Sequence, residues 1–100
     1  MAETLDGKGL NMNGDDKVLD DDQLKAIRQR CNAATPGPWL SMIEGRDHTS
    51  GNSFIQTGRD KRRGNDIELF GATDADQDFI AHARQDIPTL LEEIDRLKKK

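Results

Sequence analysis

At 100 residues the chain has room for one small domain, and charged residues (34%) match hydrophobic ones (33%), which leaves only a thin apolar core. The formal net charge of −4 is lopsided: residues 1–23 hold seven acids against two lysines, for −5, while the remaining 13 bases against 12 acids come to +1. No apolar run approaches the roughly 20 residues of a membrane span, no signal-peptide pattern opens the chain, the near-neutral remainder exerts no bulk pull on nucleic acid, and a lone Cys31 excludes an intramolecular disulfide.

The expectation is a soluble cytoplasmic protein. Residues 1–18 read as a disordered acidic leader, because Gly7, Gly9 and Gly14 interrupt them and their apolar residues lack a period. A calcium loop starting at Asn11 fails: its glycine falls at position 4 instead of 6, and Asp22 stands at position 12 in place of Glu. A helix is predicted over 21–33. Asp20 is its N-cap and Gln23 the reciprocal partner of a capping box, with Leu19 and Leu24 as a hydrophobic staple. Leu24, Ile27 and Cys31 form a single apolar stripe, which places Cys31 as an inert buried thiol.

The stretch Ala34-Thr35-Pro36-Gly37-Pro38-Trp39 stops that helix, since neither proline has a backbone donor and each biases its predecessor toward extended backbone. Trp39, the single tryptophan, reads first as a core anchor and second as a stacking platform for a ligand. Extended segments follow at 39–44, 53–57 and 66–70, joined by short polar loops, and these pair antiparallel as a meander. Thr73 caps the next helix, with Asp76 three residues on, and Ala75, Phe79, Ile80 and Ala83 form its apolar face. Pro88 is expected to break this helix and start another, capped by Asp86 or Ile87. In that last segment Ile87, Leu90, Ile94 and Leu97 are spaced as a heptad seam widened by Leu91. The seam either lies on the sheet or pairs with a second copy. The fold class is therefore α+β: an N-terminal helix, a three-stranded antiparallel meander and two C-terminal helices broken near Pro88.

No catalytic constellation is legible. His48 sits in a polar loop beside Asp47, and His82 lies between Asp78 and Asp86 on a helix, a solvated face more than a metal site. No cofactor and no metal are implied. The binding candidates are Trp39 and the basic loop carrying Arg59, Lys61, Arg62 and Arg63, which can receive phosphate, nucleotide or an acidic protein surface.

Two segments together carry a resemblance. The first is Thr35-Pro36-Gly37-Pro38-Trp39. The second is Asp76-Gln77-Asp78-Phe79-Ile80-Ala81-His82-Ala83-Arg84, followed by Asp86-Ile87-Pro88-Thr89-Leu90-Leu91-Glu92-Glu93-Ile94-Asp95-Arg96-Leu97. In this order they resemble small phage and prophage accessory proteins, among them the Ead-like family of lambdoid phages, over residues 20–98. The resemblance implies a non-enzymatic protein of the host cytoplasm that binds a host macromolecule and modulates host processes or defence. No catalytic residue carries over. The reading from the residues adds a homo-oligomer through Ile87, Leu90, Leu91, Ile94 and Leu97. Its alternative is a protein that sequesters a nucleotide signal, with Trp39 stacking and Arg62 or Arg63 holding phosphate; nucleic acid and membrane are disfavoured.

Overall fold

The computed structural model describes residues 19–99; the expected acidic leader lies outside them. The element order is α1 (Asp21–Ala33), β1 (Trp39–Met42), β2 (Phe54–Thr57), a short 3-10 turn (Asp60–Arg62) and α2 (Asp74–Lys98). The architecture is α+β. Helix α1 opens with a complete capping box: the Asp20 carboxylate accepts from the Gln23 N–H at 2.8 Å, and the Gln23 side chain accepts from the Asp20 N–H at 2.9 Å. It ends at Ala34, already extended, two residues ahead of Pro36.

Among the described residues the sheet has two strands, not three. β1 and β2 run antiparallel with Trp39 opposite Thr57 and Ser41 opposite Ile55. Of the expected third strand, residues 66–70, only Ile67 pairs, exchanging both backbone bonds with Ile55 at 2.7 and 2.9 Å. The ladder stops on one side because the Thr57 carbonyl takes the Gly64 N–H and the Thr57 hydroxyl donates to the Asn65 carbonyl, which consumes the groups a longer strand needs. On the other side the chain leaves the sheet, and Phe70 stands in solvent.

Helix α2 is continuous through Pro88, so the expected break and the caps at Asp86 or Ile87 are overturned. The missing proline N–H costs one helical bond, but the helix is anchored on both sides of it. Before Pro88, Gln77, Ala81 and Gln85 face the sheet; Gln77 donates to the Ser41 hydroxyl at 3.1 Å and to the Phe54 carbonyl at 3.0 Å. After it, Leu91 is buried, Asp95 pairs with Arg28 of α1 at 2.8 Å, and Lys98 pairs with Asp21. Thr89 donates its hydroxyl to the Gln85 carbonyl at 2.9 Å, beside the lost bond.

The core is thin, in keeping with the composition: among the described residues Ile43, Ile55, Ala81 and Leu91 are the buried apolar side chains, joined by Thr57 and Gln77. The expected inner face of α2 is corrected by this set. Ala75 is exposed, and so are Phe79 (75%) and Ile80 (38%), while Gln77 and Ala81 point inward. Helix α1 packs against α2 and not across the sheet. No residue of α1 is fully buried, and Cys31 is half-buried.

Candidate functional site

Two surfaces carry the candidate residues. The first is an open groove of about 800 Å³ along the free edge of β1. Trp39, Leu40, Ser41 and Met42 form one wall; Arg46, Asp47, Asp78, His82 and Gln85 line the rest. Trp39 is half-buried here, not the fully buried anchor its rarity implies. Its indole N–H donates to the Thr35 carbonyl at 3.1 Å, which ties the ring back to the proline corner. The same ring lines a smaller apolar crevice of about 230 Å³ with Cys31, Ala34, Ile80, Ala83 and Ile87.

The far end of the groove is organised by Arg46. Its guanidinium holds Asp78 of α2 with two bonds of 2.9 and 3.0 Å and Asp47 with two more of 3.0 and 2.8 Å. This fork clamps the β1–β2 loop onto the first turns of α2. The Arg46 guanidinium, helped by the Ser41 hydroxyl, holds the Asp78 carboxyl down at about 2. The same guanidinium, then the Ile43 N–H, lowers Asp47. A carboxyl depressed in the folded state binds its proton more readily in the unfolded chain. Its stabilising effect is therefore full above pH ~4 and fades as the pH falls toward about 2. The urea midpoint is expected to decline across that window, with a shallower decline in Asp78→Asn. Both carboxyls are about a third exposed, at 29% for Asp47 and 34% for Asp78, so solvent screens them in part and the change is modest and shrinks with added salt.

His48 staples the loop between β1 and β2. The Ser50 N–H (3.0 Å) and hydroxyl (2.7 Å) converge on Nδ1, which makes that nitrogen the acceptor. Nε2 then carries the hydrogen, 3.3 Å from the Met42 carbonyl, and the ring rests on Phe54 with centroids 5.0 Å apart. Glu44 braces the same loop by accepting from the Gly51 N–H at 2.6 Å. Among the described residues no group of three or more His, Cys, Asp or Glu is arranged to hold a metal ion.

The second surface is the basic loop. Arg59, Lys61, Arg62 and Arg63 are all exposed, on and beside the 3-10 turn. Arg63 is tied to Asp66 at 2.7 Å, whereas Arg59, Lys61 and Arg62 have no ion-pair partner among the described residues. The loop springs from the sheet next to the proline corner, since the Gly58 N–H donates to the Pro38 carbonyl at 2.7 Å. Neither the groove nor the smaller crevice that Trp39 lines includes these cations; the cation in the groove is Arg46.

The seam residues divide. Leu90 (60%) and Leu97 (53%) are exposed, Ile87 (39%) partly so, and Ile94 is half-buried. Leu91 is 4% exposed, turned toward α1 beside Leu24, and leaves the candidate interface. Phe79, Ile80 and Phe70 extend the apolar surface to the start of α2, around a crevice of about 510 Å³. The sequence singles out neither Arg46 nor Gln85, and it offers Asp47 and Asp78 only as neighbours of His48 and His82, because nothing in local spacing joins Arg46 to a carboxylate 32 residues away. No described helix is long and apolar enough to cross a membrane. In comparisons with known proteins, no family model matches this chain, and neither does any curated protein or any solved structure.

Proposed function

We propose that this chain is a non-enzymatic binding protein of the phage accessory type, which engages a host macromolecule in the cytoplasm and modulates host processes or defence. The observation that carries the binding role is the apolar stripe on α2, where Phe79, Leu90 and Leu97 stay more than half exposed although the core is starved of apolar side chains. A helix with such an uncovered face lacks the second layer that would bury it. The seam of Ile87, Leu90, Ile94 and Leu97 fits a second copy, and the cations Arg59, Lys61 and Arg62 fit an acidic surface of the partner.

The test pairs two variants. Arg59→Glu with Lys61→Glu and Arg62→Glu is expected to abolish capture of the partner from host lysate while leaving the oligomer intact; Arg63 is spared because it braces Asp66. Leu90→Glu with Leu97→Glu is expected to reduce the sedimentation coefficient to that of a monomer. Unchanged capture by the first variant would remove the basic loop from the function. The nucleotide reading is favoured by Trp39 in its groove, with Arg46 as the neighbouring cation. A change in Trp39 emission on titration with a nucleotide panel would move the assignment to it.

A further inference from the structure

Among the described residues the outer edge of β1 has no neighbouring strand, and its sequence, Trp39-Leu40-Ser41-Met42, carries no charge. Such an edge ordinarily templates pairing with another chain. The register settles which groups face outward. Pro38 accepts from Gly58, and Ile55 bonds to Ile67 on its far side, so Leu40 and Met42 make the bonds to β2 while Trp39, Ser41 and Ile43 turn theirs to the open side. The Gln85 side chain occupies the first of these positions. Its Oε1 accepts from the Trp39 N–H at 2.7 Å and its Nε2 donates to the Trp39 carbonyl at 3.1 Å, the two bonds that a residue of an adjacent antiparallel strand would make. A third bond, to the Ala81 carbonyl at 3.1 Å, fixes the amide to its own helix. At the other end the Asp47 carboxylate accepts from the Ile43 N–H at 2.8 Å. Between the two only Ser41 keeps an outward N–H and carbonyl with no partner among the described residues.

We propose that Gln85 and Asp47 lock this edge against antiparallel pairing with a second copy of the chain. The edge is self-complementary. With Ser41 on a two-fold axis, Ser41 meets Ser41 of the other copy, Leu40 meets Met42, and Trp39 meets Ile43, all uncharged pairs. That arrangement sets the Gln85 end of one molecule against the Asp47 end of the other, so each contact is blocked twice. A single Ser41 pair is too short to hold two molecules together.

Hydrogen exchange of the individual β1 amides tests this, and self-association through α2 does not move that readout. In the native chain the Trp39 and Ile43 amides are expected to be protected and the Ser41 amide to exchange fast at every concentration. In the double variant Gln85→Leu with Asp47→Ala, the Ser41 amide is expected to slow by about tenfold or more as concentration rises. A Ser41 amide that stays fast in the folded double variant would overturn the proposal. So would a native Trp39 amide as fast as that of Ser41, a result that holds even if the variant fails to fold. Gln85→Glu, which keeps the acceptor for the Trp39 N–H and loses the donor, is expected to expose the Trp39 carbonyl alone and leave Ser41 fast.

Discussion

Replacing Gly58 with alanine is expected to destabilise the protein by about 3–5 kcal/mol, a loss in the range that only a few mechanisms reach. Gly58 closes β2 with φ +76°, a left-handed conformation that costs an ordinary residue about 1–2 kcal/mol. The larger part is steric. A Cβ there would lie 2.1 Å from the Arg62 carbonyl oxygen and 2.9 Å from its carbon, both backbone atoms of the 3-10 turn. Neither can yield without moving the turn, and the turn is bound back to the sheet through Gly64 and Thr57. The Gly58 N–H also holds the Pro38 carbonyl, so the strain reaches the proline corner and the base of the basic loop. Gly45 is the control: its φ is +85° with nothing within 4 Å of the added Cβ, so Gly45→Ala costs only the backbone term of about 1–2 kcal/mol. Urea unfolding measures both, and equal losses at the two positions would refute the steric account.

Ile55→Ala is expected to lose about 2–5 kcal/mol, and Ile55→Val about 0.5–1.5 kcal/mol. Ile55 sits at the centre of the molecule. Its side chain is fully buried beneath α2, and its backbone joins β2 to Ile67 while its strand pairs with β1. For a domain of this size total stability is about 4–12 kcal/mol, so the alanine variant stands near the folding limit. With ~4–8 °C of melting temperature per kcal/mol, the valine variant still shows a resolvable shift. With so few other apolar side chains buried, little neighbouring bulk exists to collapse into the cavity. Retention of the native melting temperature in Ile55→Ala would mean that the sheet–helix core is not the source of stability.

The features legible in the sequence are those whose cause lies within a few residues. Asp20 with Gln23 and Thr73 with Asp76 both form the reciprocal caps their spacing dictates. Pro36 marks the end of α1, and the apolar stretches of β1 and β2 pair antiparallel. The inner face of α2 was not legible. Hydrophobic periodicity assigns inward positions to apolar side chains, whereas two of the residues facing the sheet are glutamines, whose amides bond to Ser41, Phe54 and Trp39. Counting Gln77 and Gln85 as solvent-facing rotates the helix and turns Phe79 inward.

The candidate site divides along the same line. Trp39 and the cations at 59–63 stand out as residue types, and the heptad spacing marks the seam, but that Leu90 and Leu97 stay exposed is decided by the packing. The Arg46–Asp78 clamp and the Gln85 bridge join residues 32 and 46 positions apart, and no local rule connects them.

By itself, then, the sequence determined the helix starts, the proline corner, the α+β class and the thinness of the core, because caps, proline geometry and composition act locally or by count. Only the tertiary structure decided that α2 runs unbroken past Pro88, that residues 66–70 pair at Ile67 alone, and that Leu91 turns inward while Leu90 stays out. Each of these is a competition between a weak local preference and packing or hydrogen bonds made from a distance. The distant contacts prevail because one lost helical bond, or one short ladder, is worth less than the anchorage on either side of it.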